Sequence, residues 1–136
     1  MALGPSSAPA DVVLRYGEML GAGDADAILE LYTANAEIVP EGLRSVRGTA
    51  AVRQFYLDTF ATIRIEGQLQ VTSTVVSEEM AVVRCEEPAR VHTVADGSVR
   101  ASWFRETFVL VPAGEGEPGG WRIRLYMFSE NPAQLT

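Results

Sequence analysis

The chain has 136 residues, 47% apolar and 21% charged, a balance that suits one globular domain with a core of ordinary size. Its net charge of -7 disfavours non-specific binding to nucleic acid or to an anionic membrane surface. All 11 basic residues are arginine, which removes Schiff-base chemistry and a phosphate-cradling P-loop; one cysteine and one histidine exclude an intrachain disulfide, a thiolate cluster and a His-built zinc site.

Residues 1–8 are rich in Gly, Pro, Ser and Ala and read as a disordered leader, without the basic and apolar regions of a secretory signal. No run of about eighteen apolar residues suggests a membrane span, and the lone Cys85 fits a reducing compartment, so the expectation is a soluble cytoplasmic protein. The domain then runs from 9 to 136. A first helix starts near Pro9, with Ser6 and Ser7 as capping candidates, carries Val12, Val13, Tyr16, Met19 and Leu20 on one face, and ends at Gly21 and Gly23. Asp24 caps a second helix that buries Ile28, Leu31 and Tyr32 and closes at Asn35. Ala36–Val39 is a short strand stopped by Pro40. Thr49 caps a third helix, with Val52, Phe55, Tyr56, Phe60 and Ile63 as its stripe.

Beyond Ile65 the apolar period changes from that of a helix to that of a strand. Strands are predicted at about 66–76, 80–95, 99–112 and 121–129. Asp96-Gly97 sits at the centre of a hairpin turn, and residues 114–120 form a longer flexible connection. Three helices followed by antiparallel strands define an α+β fold, its helices packed on one face of a curved sheet.

Each predicted helix places one tyrosine on its apolar face: Tyr16, Tyr32 and Tyr56 each follow a β-branched residue by four. A buried phenol left unpaired costs about 1–3 kcal/mol, so the three hydroxyls either reach backbone or water, or meet one another or a ligand. In the strands, alternation turns Ala81, Val83, Cys85, Ala89 and Val91 inward together with one anomaly, Glu87. It turns Ser102, Phe104, Phe108 and Leu110 inward with a second anomaly, Glu106. A buried carboxyl is pushed toward neutrality and suits a general acid or base. For Glu87, a bulge at Pro88 turning the side chain outward is the simpler expectation. For Glu106, acid–base chemistry and pairing with Arg105 or Arg100 both stand. His92 falls on the polar face, and Cys85 packs as a small hydrophobe.

The runs AGDADAILELYTANAEIVPEG, VRGTAAVRQFY and WRIRLYMFSENP resemble the SnoaL-like branch of the nuclear transport factor 2 superfamily, from about residue 10 to the end. The resemblance implies a cone-shaped α+β domain, with a bent antiparallel sheet wrapped around three helices and a single deep pocket. The C-terminal ETFVL and WRIRLYMF segments look most like small bacterial members from natural-product clusters, including enediyne polyketide clusters. Set beside ketosteroid isomerases, Tyr16, Tyr32 and Tyr56 match a tyrosine network, with Tyr16 at the oxyanion donor. Counted from Gly97, that family's protonated aspartate falls on Glu106. The family's general base is missing: Val39-Pro40 stands at its position, with Glu41 or Glu37 nearby. The Asp-Arg-Asp arrangement of limonene-epoxide hydrolases is not reproduced either, since Arg90-Val91-His92 carries histidine in place of the acid.

Two functions follow. One is a cofactor-independent acid–base enzyme (isomerase, cyclase or dehydratase) acting on a hydrophobic, polyketide-type intermediate. Tyr16, supported by Tyr32 and Tyr56, would stabilise developing negative charge, and Glu106 and Glu41 would handle protons. Phe55, Phe104, Ser102, Val91 and Ala89 would complete the pocket, with no metal. The other is a non-catalytic binding or assembly module. Both readings imply a homodimer formed through the sheet.

Overall fold

The computed structural model describes residues 8–114 and 120–135. The capping role expected of Ser6 and Ser7, nearly all of the 1–8 leader and most of the 114–120 connection lie outside those residues. Helix α1 (Pro9–Ala22) buries Val12, Val13, Tyr16 and Leu20 and stops at Gly23. The left-handed conformation of Gly23 (φ 69°) lets the backbone N–H groups of Gly23 and Asp24 bond to Leu20 and Met19 carbonyls. The Asp24 carboxylate then accepts the Ala27 N–H at 3.0 Å and starts α2 (Ala25–Leu29).

Helix α2 is only 5 residues long, so it does not run to Asn35, and Tyr32 does not belong to a helix. Tyr32 opens strand β1 (Tyr32–Pro40), whose parallel pairing with β7 begins at Tyr32 opposite Ile123. Sheet pairing overrides the modest helix propensity of this segment. After the two-residue strand β2 (Val46–Arg47) comes α3 (Thr49–Thr62). Its N-cap is Gly48 rather than Thr49, with no side-chain cap; at φ 85° and ψ 158° that position suits glycine alone.

The rest is sheet: β3 (Ile63–Gly67), β4 (Gln70–Val76), β5 (Ala81–Thr93), β6 (Val99–Pro112) and β7 (Trp121–Glu130), followed by a 3-10 turn at Pro132–Leu135. The expected 66–76 strand is thus two strands, and Ile63 starts the first instead of ending α3. Among the described residues the sheet has 7 strands in the order β2-β1-β7-β6-β5-β3, with β4 also on β5. The first part of β5 pairs with β4 and its last part with β3, so the sheet bends where β3 gives way to β4. The three helices fill the concave side. Tyr16, Ile28, Ile38, Val52, Tyr56, Phe108 and Ile123 are buried there.

The β5–β6 register runs unbroken through Glu87–Phe104, Pro88–Trp103 and Ala89–Ser102, so Pro88 makes no bulge. The Trp103 carbonyl points away from β5 and accepts the Asn131 N–H at 2.7 Å. Trp103 and Pro88 therefore form a non-hydrogen-bonded pair, and the proline nitrogen faces the gap between β3 and β4. No ladder donor is lost there. Glu87 consequently stays on the inward face, only 4% exposed, and its expected outward turn does not occur.

One register shift does occur between β6 and β7. Val109 faces Leu125 while Leu110 faces Ile123, which leaves Arg124 as the extra residue. Before it Ile123 points inward; after it the even positions, Tyr126, Phe128 and Glu130, turn toward the helices.

Candidate functional site

A cavity of about 230 Å³ lies between α1, α3 and the concave face of the sheet. Tyr16 and Leu20 from α1 and Phe55, Tyr56 and Thr59 from α3 form one wall; Ile63, Ile65, Phe104 and Phe128 form the opposite one. Four carboxyls join this apolar lining: Glu87 from β5, Glu106 from β6, Glu130 from β7 and Glu41 from the turn after β1.

Glu106 is 2% exposed. Its Oε2 accepts the Tyr126 hydroxyl at 2.7 Å, while its Oε1 is buried with no hydrogen-bond partner. Burial, reinforced by the neighbouring Glu87 charge, raises its carboxyl from 4.5 to about 8. The carboxyl is therefore mostly protonated at neutral pH. With Oε2 engaged as acceptor, Oε1 is the oxygen left to carry the proton. Neither Arg100 nor Arg105 clamps it: Arg100 pairs with Glu130 at 2.8 and 3.0 Å, and Arg105 is on the exposed face. Arg84 reaches only the main-chain oxygen of Glu106, at 2.6 Å.

The tyrosines form a chain. Tyr56 is hydrogen-bonded to Tyr16 at 2.8 Å and to Tyr32 at 2.6 Å. Burial above all holds these phenols, and that of Tyr126, well above their ordinary value of 10, so all four are neutral donors. Phe108 ties the chain to Glu106's partner: it stacks on Tyr126 with centroids 4.5 Å apart and meets Tyr16 edge-on at 5.2 Å. Tyr56→Phe should destabilise the fold by about 1–3 kcal/mol, because two buried hydroxyls lose their common partner. An unchanged urea midpoint would show that water replaces it.

Of the residues expected at the site, Tyr16, Glu106, Glu41, Tyr56, Phe55 and Phe104 line the cavity. Tyr32 stands behind Tyr56 and belongs to the network rather than to the wall. Ala89 and Val91 back the cavity, packed with Phe104 in a second apolar cluster. Ser102 donates to Glu130 Oε2 at 2.7 Å instead of facing the cavity. Glu41 is exposed at the rim, where its Oε1 accepts the Glu130 N–H at 3.0 Å. Glu37, the other acid near Pro40, is bound to Arg47 at 3.1 Å, and His92 pairs with Glu66 at 2.9 Å away from the cavity. Cys85 is fully buried, its thiol pushed by burial up to about 12, which makes it inert.

The sequence reading missed Tyr126 and Glu130 and set Glu87 aside. The signal for the first two is the even-numbered set Tyr126, Phe128 and Glu130 in the last strand, obscured by the extra Arg124. No three His, Cys, Asp or Glu side chains among the described residues converge as a metal site, and no helix there is long and apolar enough to cross a membrane.

A bent, unclosed sheet wrapped around three helices, with a pocket at its concave face, is the nuclear transport factor 2-like architecture. The chain belongs to the SnoaL-like domain family, whose model matches residues 13–122. Among solved structures, a ketosteroid isomerase-like protein from Erwinia carotovora atroseptica is similar at 21% identity and a TM-score of 0.83, over 89% of this chain and 92% of that one. A proposed dehydratase of the same superfamily from Streptomyces avermitilis is similar at 20% identity and a TM-score of 0.75, over 90% and 93%. A proposed scytalone dehydratase from Novosphingobium aromaticivorans follows at 13% identity and a TM-score of 0.71, over 90% and 80%. At these identities the likeness establishes the fold. Among curated proteins none matches the chain significantly by sequence.

Proposed function

We propose that the protein is a cofactor-independent acid–base enzyme acting on a compact hydrophobic carbonyl compound, of the kind made by polyketide pathways, in the cytoplasm. The observation that carries this reading is Glu106: a carboxyl 2% exposed, protonated near neutrality, with an unpartnered oxygen at an apolar cavity. A protonated carboxyl costs far less to bury than a charged one and is a strong donor to an oxygen that gains negative charge. Tyr16, neutral and held by Tyr56, lines the same cavity and is the second donor. Isomerisation, cyclisation and dehydration all pass through such an enolate. Dimerisation through the outer face of the sheet, where Met127 is exposed, belongs to the same reading.

The test is turnover of 3-cyclohexen-1-one, a small β,γ-unsaturated ketone, to its conjugated isomer, followed by absorbance. Wild-type protein should accelerate it; Glu106→Gln should lose about 100-fold or more and Tyr16→Phe at least about 10-fold. Undiminished turnover in both variants overturns the mechanism. A wild-type protein that binds the ketone without converting it supports the second reading, a binding module. That reading draws on Val39-Pro40, which occupies the position where related isomerases keep their base.

A further inference from the structure

Glu106 supplies an acid, but proton abstraction from carbon needs a base, and Glu41 is a poor one: it is exposed and already holds the Glu130 N–H. Glu87 is differently placed. It lines the same cavity, is 4% exposed, and has no hydrogen bond or ion pair among the described residues. Strand register puts it diagonally across from Glu106, since Glu87 faces Phe104 and Cys85 faces Glu106. Diagonal positions of an antiparallel pair are roughly 7–8 Å apart, so the two side chains enter the same cavity from neighbouring strands.

The strand beside it is shaped around this side chain. Gly67 of β3 lies against Glu87: a Cβ there would stand 3.0 Å from Glu87 Oε2 and 2.8 Å from the Pro88 carbonyl oxygen. Only glycine lets the two strands close while the carboxyl keeps its position.

We propose that Glu87 is the general base of the reaction, replacing from strand β5 the base missing at Val39-Pro40. This inference rests on the acid–base reading above and assigns its second catalytic group. The Glu87 carboxylate takes the proton from the carbon next to the substrate carbonyl. The C–H electron pair becomes a carbon–carbon π bond, and the carbonyl π pair moves onto oxygen, where the Glu106 Oε1–H and the Tyr16 hydroxyl stabilise it. The enolate then collapses, its far carbon takes the same proton back from Glu87, and the carboxylate is regenerated. No other reactant is consumed. Burial raises Glu87 from 4.5 to about 7, so an ionised fraction with high basicity is present at neutral pH.

The experiment is 3-cyclohexen-1-one isomerisation in deuterium oxide by wild type, Glu87→Gln, Glu87→Asp and Glu41→Gln, reading rate and the protium retained in the product. If Glu87 is the base, Glu87→Gln loses about 100-fold or more, Glu87→Asp retains an intermediate rate, and Glu41→Gln loses far less than Glu87→Gln. Wild type should also retain protium at the receiving carbon, because one carboxyl carries the proton between two carbons of the same molecule. Normal rates in Glu87→Gln, with loss in Glu106→Gln, overturn the assignment of Glu87 and leave the acid–base reading intact. Loss in Glu41→Gln instead moves the base to the rim. Equal rates in all variants, Glu106→Gln included, overturn both. Should Glu87→Gln melt early, Glu87→Asp decides: a folded Asp variant that turns over with full protium washout excludes a one-carboxyl transfer by this residue.

Discussion

Glu106→Gln will be more stable than the wild-type protein at about pH 9, by an amount on the order of 4 kcal/mol, and about equal to it near pH 4.5. The unfolded chain releases the Glu106 proton near 4.5, whereas the folded chain holds it to about 8. Between those values the folded state binds more protons than the unfolded state, so wild-type stability falls as pH rises through that window. The penalty is complete above about 8. Glutamine copies the protonated acid, accepting from Tyr126 on one side and offering an N–H on the other, and has no proton to lose. Chemical denaturation of both proteins at the two pH values reads the effect as a difference, so contributions from the remaining charges cancel. A variant that is less stable than wild type at about pH 9 would mean that the ionised carboxylate finds solvation in the folded protein.

Phe108→Ala is the second large effect, a loss of about 3–5 kcal/mol in unfolding free energy. Phe108 is fully buried, stacked on Tyr126 and edge-on to Tyr16. Its removal also frees the Tyr126 ring that presents a hydroxyl to Glu106. The melting temperature should drop, and whatever turnover survives should fall as well. Phe108→Leu, which refills most of the volume without the ring stack, should lose less stability. Equal destabilisation by Leu and Ala would locate the whole effect in the aromatic contacts rather than in the cavity.

Much of this arrangement is legible in the chain because period-two alternation is rigid. Once β5 and β6 are recognised, Glu87 and Glu106 must share a face with Val83 and Phe108. The helical spacing of Tyr16 and Tyr56 is equally direct. What escaped reading depends on partners distant in sequence. Tyr32 reads as helical until β7 offers it a strand to pair with. Pro88 reads as a bulge unless the β3–β4 gap beside its nitrogen is known. Tyr126 stays unassigned until the register slip at Arg124 is known. Each is a long-range pairing that local spacing cannot encode.

The four carboxyls around the cavity also decide what may enter it. Among the described residues its lining contains Glu41, Glu87, Glu106 and Glu130 and no basic side chain, and Arg100 is committed to Glu130. On the acid–base reading proposed above, ionisation of these acids would disfavour anionic ligands such as acyl phosphates, coenzyme thioesters and free acids. Selection by charge would then sit at the entrance, with selection by shape left to the aromatic wall within.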